Sequence, residues 1–151
     1  MFFITKKQKL MWAIKQQNLA LVKTLLNLGV SPIKRYFWQS CSLSQAVFES
    51  STEIVELILK YVYINYPNYL KNNPRPLLTA MYHDEAKKLE LLLQCGADIS
   101  PIWERSWFQR SSEIIEVILK YATNIPEQER SMAIEILNYR KRSSKTDNKK
   151  L

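Results

Sequence analysis

Ser51-Thr52-Glu53-Ile54-Val55-Glu56-Leu57-Ile58-Leu59-Lys60-Tyr61 returns sixty residues later as Ser111-Ser112-Glu113-Ile114-Ile115-Glu116-Val117-Ile118-Leu119-Lys120-Tyr121. The two stretches differ only where Thr52, Val55 and Leu57 become Ser112, Ile115 and Val117. Ile54, Leu57, Ile58 and Tyr61 fall on one stripe at the 3.6-residue period of a helix. Related stretches lie at Leu21 to Pro32 and at Leu89 to Asp98. Aligned on their aliphatic pairs, the four units sit at Leu25-Leu26, Ile58-Leu59, Leu92-Leu93 and Ile118-Leu119, in steps of 33, 34 and 26 residues. A repeat of this length is one supersecondary unit that buries its apolar face only against its neighbours.

A small residue precedes the second aliphatic by 13 positions in every unit: Ala13, Ala46, Ala80 and Ser106. A side chain of that size lets two antiparallel helices approach closely. The only two glycines, Gly29 and Gly96, lie 67 residues apart, each just after a leucine-rich helix, where a left-handed cap favours glycine. After the fourth unit, Pro126, Glu127 and Glu129 mark a helix start, with the acids facing the positive end of the helix dipole. Met132, Ala133, Ile136 and Leu137 form its apolar stripe, and Arg140, Lys141 and Arg142 close it.

These units resemble the ankyrin repeat. Arg75-Pro76-Leu77-Leu78-Thr79-Ala80 is similar to that family's T-P-L-H-x-A opening, and Leu91-Leu92-Leu93-Gln94-Cys95-Gly96-Ala97-Asp98 to its L-L-L-x-x-G-A-D close. The first unit matches through Leu10, Ala13, Val22 to Leu26 and Gly29 to Pro32, and the other two through their second helices. The motif's histidine is replaced by Met11, Ser44, Leu78 and Glu104. The resemblance implies an all-α solenoid of about four helix-turn-helix repeats with a C-terminal capping helix. The expected organisation is one repeat domain over 1–142, with repeats near 9–32, 39–64, 75–100 and 101–125, a cap helix at 126–142, and a basic disordered tail at 143–151.

Composition narrows the chemistry. The chain has 151 residues, 46% of them hydrophobic and 24% charged, which fits one globular domain. Two glycines exclude Walker A and dinucleotide-binding loops, which need two or three close together. One histidine, His83, and two cysteines, Cys41 and Cys95, are too few for a zinc finger or an H-E-x-x-H site, so no metal or other cofactor is expected. His83 beside Asp84 would need a cysteine within hydrogen-bond reach to act in thiol catalysis. The repeat frame puts His83 in the turn of the third unit, Cys41 at the start of the second unit's first helix and Cys95 at the end of the third unit's second helix. No enzymatic activity is therefore expected. Met1 to Ile4 is too short for a signal-peptide core before the lysines begin, and no apolar run approaches the ~20 residues of a membrane span. A monomer in the cytoplasm is expected.

Charge is unevenly placed. Of the net +8, residues 1–48 carry +7 with no acid, residues 139–151 carry +5, and the middle is −4. The basic ends, with Trp12 and Trp38 near the first, give one reading as a nucleic-acid or anionic-membrane binder. The other reading follows from the resemblance, which implies a protein-binding scaffold using repeat connections and a concave face. Degenerate, glycine-poor arrays rich in Tyr, Lys and Asn resemble those of large DNA viruses and intracellular bacteria, and so imply a host protein as partner, in the host-cell cytosol. Aromatic and basic residues in connections have the composition of interface anchors. The candidates are Lys34, Arg35, Tyr36, Phe37, Trp38, Tyr63, Tyr66, Tyr69 and Arg105, whereas Trp103, aligned with a consensus leucine, is expected in the core. Replacing Tyr36 and Trp38 together by alanine should leave the melting temperature unchanged and weaken partner binding by about 2 kcal/mol or more, read by calorimetry.

Overall fold

The computed structural model describes residues 4–34, 41–103, 107–123 and 125–147, with side chains through Ser144. The first unit pairs α1 (Lys6–Lys15) with α2 (Leu19–Asn27), and the second pairs α3 (Ser42–Glu49) with α4 (Thr52–Asn65). A short α5 (Tyr69–Asn72) crosses the second connection, and the third unit pairs α6 (Arg75–Tyr82) with α7 (Ala86–Gln94). The fourth supplies α8 (Ser112–Tyr121), and α9 (Glu127–Asp147) closes the array. Among the described residues there is no strand.

The helices form two layers. In the first-helix layer α1 packs on α3 and α3 on α6; in the second-helix layer α2 packs on α4, α4 on α7 and α7 on α8. Ala13, Ala46 and Ala80 are fully buried between them, as their common spacing predicts. Ser106, their counterpart in the fourth unit, lies outside the described residues. The second helices bury Val22, Leu25 and Leu26, then Ile54, Ile58 and Leu59, then Leu89 and Leu92, then Ile114, Ile115 and Ile118. One polar side chain interrupts this pattern. Lys88 holds the place, three residues past the helix cap, that Leu21, Ile54 and Ile114 take in the other units. Its ammonium donates to the Val47 carbonyl at 3.0 Å and pairs with Glu85 at 3.0 Å. Val47 lies in the last turn of α3, where the helix dipole favours a cation.

Helix ends follow local chemistry. Asn18, Ser51 and Ser111 cap the second helices through their side chains. Gly29 (φ +78°) and Gly96 (φ +85°) terminate α2 and α7. Paired bonds from Gly29 and Val30 to Leu26 and Leu25 complete one Schellman motif, and bonds from Gly96 and Ala97 to Leu93 and Leu92 complete the other. The same motif ends α1 and α6 with Gln17 (φ 53°) and Asp84 (φ 54°) in the glycine-favouring region.

Two boundaries differ from the sequence expectation. The fourth unit opens not with a described α-helix but with 3₁₀ turns at Ser100–Ile102 and Trp107–Gln109. The 26-residue step leaves little chain for a paired helix, Pro101 suits the first turn of a helix but not its interior, and the fully buried Trp107 fills the volume instead. Trp107, rather than Trp103, is the central aromatic of this end. Trp103 is half-buried and meets Trp107 edge-on at 5.8 Å, while the Trp107 indole donates to Glu129 at 2.9 Å. The closing helix also continues to Asp147, five residues past Arg142, into the stretch read as a disordered tail. No glycine or proline stops it. The Ser143 and Ser144 hydroxyls turn back onto the Tyr139 and Lys141 carbonyls, so their polarity is absorbed along the helix.

Ala80→Arg should destabilise the array by several kcal/mol through overpacking and a buried charge. Trp107→Ala should cost roughly 3–5 kcal/mol, and more than Trp103→Ala. Denaturant melts of the three variants check both expectations.

Candidate interaction surface

The turns between paired helices lie side by side along the array and are joined by polar side chains. The Gln17 amide donates to the Glu49 carbonyl at 2.8 Å and accepts from the Ser51 amide at 2.7 Å, clamping the second unit's turn to the first. Asp84 accepts from the Ser111 amide at 3.0 Å, joining the third unit to the fourth. The Arg140 guanidinium donates to the Arg110 carbonyl at 2.6 Å and extends the chain of contacts to α9. Gln17 and Asp84 are the two described non-glycine residues with positive φ. The conformation costs on the order of 1 kcal/mol, and in both cases the side chain is the one that clamps a neighbouring turn.

Above these clamps runs a row of rings. Phe48 and Tyr82 each lie two residues after a buried alanine, and the near-constant repeat length brings them into line. Phe48 is 48% exposed and meets the His83 ring of the next unit at 4.4 Å between centroids. Tyr82 is 39% exposed and lies under the Arg110 guanidinium of the unit after, 4.9 Å from its ring centre. Trp12 adds a further exposed ring on α1. The row thus joins units two, three and four through ring and cation contacts. The sequence reading missed it. The signal available was the aromatic at a fixed offset from the alanine in two successive units, obscured because the first unit has Lys15 there.

The sequence candidates do not converge on one patch. Lys34 is exposed at the edge of the first connection, and Arg35, Tyr36, Phe37, Trp38 and Arg105 lie outside the described residues. Tyr63 is exposed on α4, at a groove of about 340 Å³ bounded by Leu59, Lys60, Leu91 and Cys95. Tyr66 and Tyr69 are half-buried against the core. Tyr66 packs near Tyr61 at 6.4 Å, and the Tyr69 hydroxyl lies 3.4 Å from the Cys41 sulfur. Both tyrosines therefore also brace the second connection.

The second-helix face is laced by ion pairs. Lys120 pairs with Glu90 at 2.6 Å across two units, the Tyr121 hydroxyl donates to the same carboxylate at 3.1 Å, and Lys141 pairs with Glu116 at 2.9 Å. The Lys120 and Tyr121 hydrogen bonds hold the Glu90 carboxyl below the usual carboxylate range. Cys41 caps α3 beside Ser44. Burial pushes the Cys95 thiol up, away from the thiolate that nucleophilic chemistry needs. Among the described residues, no three His, Cys, Asp or Glu side chains gather where they could hold a metal ion. No helix among them is long and apolar enough to cross a membrane.

Two stacked helix layers, buried alanines in register and glycine-capped second helices are the features of one repeat class, and the family model for ankyrin repeats (3 copies) matches residues 10–102. The chain belongs to the ankyrin-repeat family. The match spans the first three units and ends at Ile102, where the 3₁₀ turns replace a paired first helix. No curated protein and no solved structure matches the chain. Ankyrin repeats mediate protein–protein interaction, and proteins built of them are typically non-enzymatic scaffolds. The ring row therefore lies on a module whose general work is binding proteins.

Proposed function

We propose that this ankyrin array is a non-enzymatic scaffold that grips a segment of a partner protein along the row formed by Phe48, Tyr82, His83 and Arg110. The observation that carries this reading is the alignment of half-exposed rings and a guanidinium across three units. Aromatic and arginine side chains on a rigid support are the groups that dominate binding energy at protein interfaces. Their side chains are held by stacking before any partner arrives, so little rotamer freedom is lost on binding. In this reading the first connection, with Lys34 to Trp38, the exposed Tyr63 and Arg105 are further candidate contacts apart from the row. The resemblance to degenerate arrays of large DNA viruses and intracellular bacteria implies a host-cell protein as partner and a cytoplasmic site of action, and in this reading the chain acts as a monomer.

A nucleic-acid track fits less well. The basic first third gives way to Glu53, Glu56, Glu90, Glu113 and Glu116 on the second helices. That band breaks the continuous run of cations that phosphate-backbone binding requires.

Phe48→Ala with Tyr82→Ala removes two half-exposed rings and should leave the fold intact. Affinity for a partner isolated by affinity capture, measured by calorimetry, should fall by more than tenfold, about 1.4 kcal/mol. Unchanged affinity in a variant with a wild-type melting curve would remove the ring row from the binding surface.

A further inference from the structure

The last junction between second helices holds a contact that the preceding junction lacks. Between α7 and α8 the Tyr121 hydroxyl donates to the Glu90 carboxylate at 3.1 Å and accepts from the Gln94 side-chain amide at 3.0 Å. Lys120 pairs with the same carboxylate at 2.6 Å. Aligned on their aliphatic pairs, unit two has Glu56 and Lys60 in the places of Glu90 and Gln94, and unit three has Gln94 and Cys95 in those of Lys120 and Tyr121. Because α7 packs on α4 as α8 packs on α7, Cys95 stands where a tyrosine closes the next junction. The short thiol leaves the place open. What remains is a groove of about 340 Å³ walled by Leu59, Leu91 and Cys95, with Glu56, Lys60 and the exposed Tyr63 at its rim. Gln94 turns its amide to Tyr121 instead. Among the described residues, neither the Glu56 carboxylate nor the Lys60 ammonium has an ion-pair or hydrogen-bond partner.

From this register, the apolar walls and the two unpartnered charged groups at one mouth, we infer that the groove between α4 and α7 binds a tyrosine side chain of a partner protein segment. The ring lies against Leu59 and Leu91, with the Tyr63 ring beside it. Its hydroxyl donates to Glu56 and accepts from Lys60, as Tyr121 does with Glu90 and Gln94. A phenol has one donor and a free lone pair, so it answers a carboxylate and an ammonium together, through charge-assisted bonds. An aliphatic or phenylalanine side chain answers neither. The source of the tyrosine rests on the protein-partner reading above. The groove lies at the far ends of α4 and α7 from the turns that carry the ring row, so the two sites are tested apart.

The test is a titration of the full chain with N-acetyl-tyrosine amide, followed by amide chemical shifts, with N-acetyl-phenylalanine amide as control. Saturable shifts at Leu59, Lys60, Leu91 and Cys95 are expected from the tyrosine probe, and several-fold weaker binding from the phenylalanine probe. Glu56→Ala, at an exposed helical position, should weaken tyrosine binding severalfold at an unchanged melting temperature. Cys95→Tyr should fill the groove from within and abolish the shifts. The inference is overturned if the two probes bind alike, if neither binds, if Glu56→Ala binds as wild type does, or if a folded Cys95→Tyr protein still binds. Should Cys95→Tyr fail to fold, the probe comparison and Glu56→Ala decide the matter. Concentration-dependent self-association in sedimentation, lost in Cys95→Tyr, would also overturn it, since a second copy would then occupy the groove. The free probes need no partner, so their failure counts against the groove alone, whereas unchanged affinity in Phe48→Ala with Tyr82→Ala counts against the ring row alone.

Discussion

The close approach of helices at Ala13, Ala46 and Ala80 is the constraint on which the rest of the array depends. With only a methyl group at each site, neighbouring helices come near enough to exclude water from the apolar stripes of the second helices. A larger side chain would separate the layers and leave voids that a core tolerates poorly. This packing also fixes the register between units. A constant register is what turns an aromatic at one sequence offset into a row at one edge of the molecule.

The turns convert that packing into a surface. Gln17 and Asp84 accept a strained backbone and use their side chains to clamp adjoining turns, so the edge of the array is tied by hydrogen bonds as well as by the core. Phe48, His83, Tyr82 and Arg110 sit on this tied edge and contact one another across unit boundaries. An edge built this way is rigid for the same reason that the fold is stable. Lys88 adds a polar tie of another kind, since its charge is buried only because the end of α3 and Glu85 receive it.

The fold was legible in the sequence because its causes are local and repeated. The duplicated Ser-x-Glu-Ile segments, the alanine-to-leucine spacing and the two glycines each have one physical reading, and those readings agree. The fourth unit was less legible: a shortened step and a tryptophan in place of a paired helix follow from how volume is filled, which spacing alone does not state. The helical course of Ser143 to Asp147 was hidden by composition, since serines and lysines suit a solvated chain and a solvated helix end alike. At the candidate surface, exposure of individual rings depends on which face each turn presents. Phe48 and Tyr82 sit half-open, while Tyr66 and Tyr69, from an equally aromatic stretch, fold back onto the core and Cys41.

The most direct test of the account needs no partner. Proton distances from nuclear Overhauser effects in the free protein report whether the edge is assembled in advance. The account predicts strong cross-peaks between the Phe48 and His83 rings and between the Tyr82 ring and the Arg110 side chain. Absence of both sets, in a protein whose Ala46 and Ala80 methyl groups still show their interhelical contacts, would contradict a preassembled row.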